Sequence, residues 1–356
     1  MENHTSKIRI GFVGVGAMGQ CAHLRNYVLM PDCQVVAIAE VKPRLRELVQ
    51  ARYGIPRSYA SHEEMLANEA LDGIVAAQPF TRHGTLIPQL LAAGKPVFIE
   101  KPLAASIPMG RRIVEAARAN GTWVMVGYHK RSDPATMEAR SRILALKESG
   151  AAGKLTYVRI TMPAGDWIAS GFDGLITTDE PAPPLDWDAP PADMDPKTYE
   201  AYVSFVNYYI HQVNLLRYLL NEPYRVTYAD RSGVLLVGEA QSGIPCIIEM
   251  SPYTTTIDWQ ERAFVAFEHA TLTLDLPAPL AQNRPGRLEL FEDVPGSKPV
   301  RTCPQLPWVH AMKQQAANFI AAIRGLRPAP CLAEEALLDL EVARDAVQMR
   351  TSQAQA

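Results

Sequence analysis

The run Gly14-Val15-Gly16-Ala17-Met18-Gly19 limits what this chain can fold into more than any other stretch. It follows a short apolar segment, 8–13, and opens a segment of helical character, 19–29. Three glycines in this spacing serve a strand–turn–helix corner. The first makes the tight turn, the second lets backbone approach a pyrophosphate, and the third lets helix and strand pack closely. Phosphates then meet N–H groups at the positive end of a helix. A glycine turn without a ligand is the alternative, but three flexible residues so close together cost stability without a use.

The next apolar run, 34–39, ends in Glu40, which stands 21 residues after Gly19, close to the ~20 expected of a ribose-binding acid. Its charge suits ribose hydroxyls and repels a 2′-phosphate, so NAD is the expected cofactor. Lys42 and Arg44 follow and partly offset that charge, which leaves NADP open. The expected cofactor-binding residues are Gly14, Gly16, Ala17, Met18, Gly19 and Glu40, with Pro79 and His83 after the third strand and Glu100 and Lys101 after the fourth.

Short apolar runs at 72–77, 96–100 and 122–126 continue the strand series. Helical stretches at 43–53, 62–68, 85–93 and 107–120 separate them. Continuous apolar strands alternating with helices mean βαβ units and a parallel sheet buried on both faces. From about residue 154 the runs lengthen and alternate in polarity: 155–162, 225–229, 234–240, 245–250, 263–268 and 270–275. That pattern predicts a mostly antiparallel sheet with one wetter face. A long helix is expected over 197–220, and closing helices near 309–324 and 332–349. The fold class is α/β: an N-terminal doubly wound Rossmann domain, 1–127, and a C-terminal α+β domain, 128–356, whose last helices have the option of packing back on the first domain. The stretch 171–195 carries five prolines among acids, together with Leu185 and Trp187, and is expected to be an ordered arm or lid.

A net charge of −3 argues against a general nucleic-acid binder. No apolar run approaches ~20 residues, so no membrane span is expected, and no signal peptide is read before the first strand. Five cysteines, Cys21, Cys33, Cys246, Cys303 and Cys331, never form a CxxC pair, which favours a reducing cytoplasm over a disulfide framework or zinc site. His4, His23, His83, His269 and His310 have no ligand partners nearby in sequence, and no metal is expected.

Pro96-Val97-Phe98-Ile99-Glu100-Lys101-Pro102 ends the fourth strand, where ligands bind in parallel sheets. A surface lysine at a strand end is the plainer reading, and Lys-Pro is a candidate cis bond. With the glycine loop, with Gly127-Tyr128-His129-Lys130-Arg131-Ser132-Asp133-Pro134 and with the helix containing His211, this motif resembles the Gfo/Idh/MocA oxidoreductases (glucose-fructose oxidoreductase, inositol dehydrogenase) over nearly the whole chain. Leu185-Asp186-Trp187-Asp188 also resembles a subset that handles sugars and glycosides. The resemblance implies that Lys101 binds the reacting hydroxyl near the nicotinamide and that His211 is the general base. It implies aspartates one turn before and three residues after that histidine, where this chain has Asn207 and Asn214. A core histidine held by two amides is the competing reading. An amide lacks the charge by which a carboxylate favours imidazolium, so the acid limb of the rate profile should lie at lower pH. The resemblance also implies a homodimer or homotetramer through the outer face of the second sheet.

Lys130 and Arg131 match a basic pair that meets polyol or acidic groups; a helix-start salt-bridge pair is equally open. Asp166, Trp167 and Tyr209 are sugar-pocket candidates by type, alongside Asn207 and His211. The expected function is NAD(P)-dependent hydride transfer at a secondary hydroxyl of a sugar, glycoside or cyclitol. Two alternatives stand beside it: an NAD-dependent glycosidase working by transient oxidation, elimination and addition, and a non-catalytic dinucleotide-binding regulator.

Overall fold

The computed structural model describes residues 6–355. The chain divides into two compact units. Among the described residues the first comprises 6–127, 170–192 and 315–337; the second comprises 128–169, 193–314 and 338–355.

In the first unit, β1 (Ile8–Val13), β2 (Cys33–Ala39), β3 (Arg57–Tyr59), β4 (Gly73–Ala76), β5 (Val97–Glu100) and β6 (Val124–Gly127) form one sheet. Its order is β3-β2-β1-β4-β5-β6, with every pair parallel. The strand order reverses between β1 and β4, and such a switch point opens a crevice at the carboxyl ends of the strands. β4, β5 and β6 are buried at every position, as the apolar runs require. The helix expected over 19–29 is a π-helical turn, Gly19–Leu24, followed by the short α1 (Arg25–Tyr27). The other helices are α2 (Pro43–Tyr53), α3 (His62–Asn68), α4 (His83–Leu91) and α5 (Ile107–Ala119). Ser61 and Ser106 cap α3 and α5 by accepting the N–H groups of Glu64 and Met109. α2 and α4 have no such cap of their own: their N-cap side chains, Lys42 and Arg82, accept nothing from their helices. The core is aromatic at its centre, with Phe12 edge-on to Tyr27 at 5.2 Å and Phe98 5.8 Å from Phe319.

The second unit holds α6 (Pro134–Ser149), β7 (Leu155–Ala164), α7 (Pro196–Tyr208) and α8 (Ile210–Leu220). Seven strands follow: β8 (Tyr224–Ala229), β9 (Leu235–Ala240), β10 (Pro245–Thr254), β11 (Glu261–Phe267), β12 (Ala270–Leu276), β13 (Arg287–Glu292) and β14 (Val300–Thr302). The sheet runs β14-β13-β12-β11-β7-β10-β9-β8. Only β7 and β10 pair parallel; all other pairs are antiparallel. Burial alternates along β11 and β12, so one face packs under α6 and α8 and the other is wetter. α6 and the strands β13 and β14 have no counterpart among the expected elements, although Asp133-Pro134 is a plain helix start. α9 (Ala311–Ile323) and α10 (Ala333–Gln355) end the chain.

The single helix expected over 197–220 is two. Tyr209 interrupts it with φ −95° and ψ −3°, about 40° from a helical ψ. Gln212 N–H then bonds the Tyr209 carbonyl in a tightened i→i+3 turn, and the Tyr209 hydroxyl reaches Ser251 Oγ at 2.6 Å.

Candidate active site

The glycine loop in the first unit divides its labour as its spacing demands. Gly14 has φ +89°, and a Cβ there would stand 2.1 Å from Gln78 Nε2 and 2.7 Å from the Ala77 carbonyl. A Cβ on Gly19 would lie 2.6 Å from the Gly14 carbonyl oxygen, so helix and strand touch through bare backbone. Gly16 is exposed, and a Cβ there would meet nothing within 4 Å. Two glycines are therefore required by the protein itself, and the middle one leaves an open approach, as a dinucleotide pyrophosphate needs. The residues fit the cofactor that the loop implies.

A cavity of about 400 Å³ opens beside the loop. Gly14, Gly16, Glu40 and Pro79 line it, all expected from sequence. So do Ser61, His62, Gln78 and Arg82, which were not expected. Ser61 and His62 follow the short edge strand β3, and Gln78 follows β4. Position at a carboxyl strand end was the available signal. Glu40 is buried; its carboxylate accepts the N–H of Val15 at 3.0 Å and of Lys42 at 3.1 Å.

His83 does not line this cavity. It is fully buried, its ring nitrogens 3.1 Å from the Leu103 carbonyl and 3.2 Å from the Gln78 carbonyl. Burial outweighs those contacts and lowers its pKa. Glu100 is buried as well and accepts a 2.6 Å hydrogen bond from His23 Nε2. Burial pushes its carboxyl up, but the His23 bond and charge, with the Lys101 charge and N–H, hold it below the ordinary value. Lys101 is half-buried where β5 ends, and the Lys101–Pro102 peptide is cis.

In the second unit, His211 is the second residue of α8. The His129 ring stands edge-on to it at 4.4 Å, and the Tyr128 ring at 6.0 Å. Tyr128 and His129 belong to the stretch that carried the resemblance, yet no role had been read into them. Asn207 is exposed near the end of α7, and the break at Tyr209 places it and His211 on successive helices.

Lys130 and Arg131 are both buried. Lys130 Nζ pairs with the Glu261 carboxylate, which also accepts Gln212 Nε2 at 2.8 Å and Trp259 Nε1 at 3.1 Å. Arg131 Nε donates to Asn214 Oδ1 at 2.6 Å. Asn214 Nδ2 in turn donates to Asp339 at 2.7 Å, and Arg217 pairs with the same carboxylate at 2.7 Å. Lys130 thus makes a buried salt bridge, whereas Arg131 donates to a neutral amide. Asp166 accepts the N–H groups of Ile168 and Ala169, a turn-forming arrangement, and lines a cavity of about 590 Å³ with Trp259 and Arg284. Trp167, Tyr209 and His211 do not line that cavity.

Asp133 caps α6, accepting N–H groups of Ala135 at 2.8 Å and Gly286 at 3.0 Å. Desolvation dominates, and its pKa is pushed up to about 6. Among the described residues no cluster of His, Cys, Asp and Glu could hold a metal, and no helix is long and apolar enough to cross a membrane. His4 lies outside the described residues.

Residues 8–128 match the model of an oxidoreductase family with an NAD-binding Rossmann fold, Gfo/Idh/MocA. The chain is 26% identical to the scyllo-inositol 2-dehydrogenase (NAD(+)) of Bacillus subtilis over 69% of this chain and 67% of that protein. It is 33% identical to the inositol 2-dehydrogenase of Acidothermus cellulolyticus over 41% of this chain and 42% of that protein. The chain thus spans between about two-fifths and two-thirds of such relatives. In fold it is similar to an NAD-binding oxidoreductase from Klebsiella pneumoniae, with a TM-score of 0.75, 18% identity, and 98% of each chain covered. With the glycine loop built as a pyrophosphate cradle, Glu40 beside it and Glu100-Lys101-Pro102 at the end of β5, residues 8–128 form an NAD-binding Rossmann domain of the kind found in the Gfo/Idh/MocA oxidoreductase family.

Proposed function

We propose that this protein is an NAD-dependent dehydrogenase or reductase acting on a secondary hydroxyl of a sugar, glycoside or cyclitol. The observation that carries the reading is the glycine cradle, in which only Gly16 is bare toward open space. The inositol dehydrogenases among its relatives support a cyclitol as the first substrate to try. When bound, NAD accepts or returns the hydride. Lys101 holds the reacting hydroxyl, His211 takes its proton, and Asn207 contacts substrate without adding charge. His129 and Tyr128 fix the plane of the His211 ring. Lys130 and Arg131 serve by position: their pairs with Glu261 and Asn214 fix the start of α8 rather than reach for substrate.

The test is incubation with NAD, a panel of inositols and sugars, and nitrophenyl glycosides, followed at the NADH and nitrophenol wavelengths. NADH accumulation is expected. Nitrophenol without NADH would replace this reading with redox-neutral glycoside cleavage. Silence from a protein proven to bind NAD would leave the regulator.

Self-association is proposed through the wetter face of the eight-stranded sheet. Tyr157, Phe264 and Phe291 stand there, alternating with buried Val158, Val265 and Leu290. Sedimentation that returns a monomer sinks this. We place the protein in a reducing cytoplasm because all five cysteines are free thiols.

A further inference from the structure

The arm that forms the first unit's second segment has no helix or strand from Leu175 to Ala192 apart from its terminal turns, yet it is fastened at several points. Gln20 is fully buried and makes a two-way amide pair with it: Ile176 N–H donates to Oε1 at 3.1 Å, and Nε2 donates to the Ile176 carbonyl at 3.0 Å. Glu180 then accepts the N–H groups of Arg44 at 2.9 Å and Leu45 at 3.1 Å. Asp188 accepts the Gly84 N–H at 2.9 Å and the Thr85 hydroxyl at 2.7 Å, and Arg82 Nε donates to the Asp186 carbonyl at 2.9 Å.

Those partners are the first turns of α2 and α4, whose own N-cap side chains accept nothing from their helices. The arm supplies both missing caps from far along the chain. A carboxylate is the group that a helix N-terminus favours, so each end of the crossing is held by charge as well as by hydrogen bonds. Between the two anchors stand Pro181, Pro183 and Pro184, which stiffen the span. The span borders the dinucleotide cavity: Ala182, Pro184, Leu185 and Asp186 line it together with Gly16 and Glu40. Its contribution to that wall is mainly apolar, as the face of an adenine ring would require.

We propose that residues 180–188 are a strap forming the outer wall of the adenosine subsite, with Glu180 and Asp188 as its two latches. The strap retains the adenosine half of the cofactor, and dinucleotide exchange requires one latch to release. This rests on the reading of the first unit as an NAD site and on nothing about the substrate, so its test measures binding alone.

NADH release is followed by fluorescence on displacement with excess NAD, and ADP-ribose and nicotinamide mononucleotide affinities by calorimetry. In the Glu180→Ala/Asp188→Ala double variant, NADH release should quicken by about tenfold or more, and ADP-ribose should weaken by a similar factor. Nicotinamide mononucleotide affinity should stay within about twofold. Leu185→Ser leaves both latches intact and should weaken ADP-ribose without altering the circular dichroism spectrum. Unchanged NADH release and ADP-ribose affinity in a folded variant would overturn the proposal. Equal weakening of nicotinamide mononucleotide would also overturn it, by assigning the segment to general support of the unit. If wild type bound none of the three, the NAD reading itself would fail, which is a distinct result.

Discussion

The side-chain amide of Asn214 donates to the Asp339 carboxylate at 2.7 Å while its oxygen accepts from Arg131 at 2.6 Å. An amide can do both, and an ionised carboxylate cannot. A carboxylate at 214 would still accept from Arg131, but it would face Asp339 with no proton to offer. The departure from the aspartate that the family resemblance implies therefore belongs to this buried network. Asn214→Asp should destabilise the protein by about 2–4 kcal/mol, read as a lower midpoint in urea at neutral pH. An unchanged midpoint would show that the network tolerates a second carboxylate.

The cradle makes two glycines behave oppositely. Gly16 lies outside the left-handed backbone region and faces open space. Gly16→Ala should leave the melting temperature unchanged and weaken NADH by about tenfold or more, because the added methyl stands where the pyrophosphate approaches. Gly19→Ala should instead destabilise the fold, since its Cβ would meet the Gly14 carbonyl at 2.6 Å. Thermal melts and NADH titration of the pair separate the two roles; a shared outcome would refute the division.

Asp133 should leave a signature in the pH dependence of stability. Its folded pKa of about 6 lies above the ordinary aspartate value of 3.8. Between those values the folded state holds a proton that the unfolded state has lost, so this group makes stability fall as pH rises from about 4 to about 6. Asp133→Asn keeps an oxygen for the N–H groups of Ala135 and Gly286 and removes the titration. The variant should lose that slope and gain about 3 kcal/mol at pH 7 relative to wild type. Melting curves at stepped pH check it, and a slope preserved in the variant would assign it elsewhere.

His211→Ala should lower turnover ~10²–10⁴-fold if it takes the substrate proton, with NADH affinity unaltered. Asn207→Asp should move the acid limb of the rate profile to higher pH, because a carboxylate favours imidazolium. Full activity in the first variant would return His211 to a structural role. An unmoved acid limb in the second would detach Asn207 from the base.

The first unit was legible in sequence where one short signal decided each element. Ile8–Val13, Pro43–Tyr53 and His62–Asn68 match expectation residue for residue. An apolar run against a glycine marks the first, and Pro43 at a helix start and Ser61 as a cap mark the others. β3 escaped because Arg57-Ser58-Tyr59 is a three-residue edge with no buried position. The break at Tyr209 escaped because the apolar positions keep helical spacing through it; the departure lies in one ψ angle and a bond to Ser251, distant in sequence. The same holds for the site. Gly16 and Glu40 announced themselves by spacing, whereas His129 beside His211, and Glu180 and Asp188 on α2 and α4, exist only once the chain has folded back.

The dinucleotide-binding unit is not finished at residue 127. Its third segment brings Phe319 to 5.8 Å from Phe98 and 5.7 Å from Trp123, and the Val126 N–H donates to the Cys331 carbonyl at 3.0 Å. A ribosome that has released the six parallel strands has yet to make the residues that cover them. The nascent sheet must therefore wait through the synthesis of nearly the whole second unit with apolar surface uncovered, which makes this interval the point at which a chaperone would matter most.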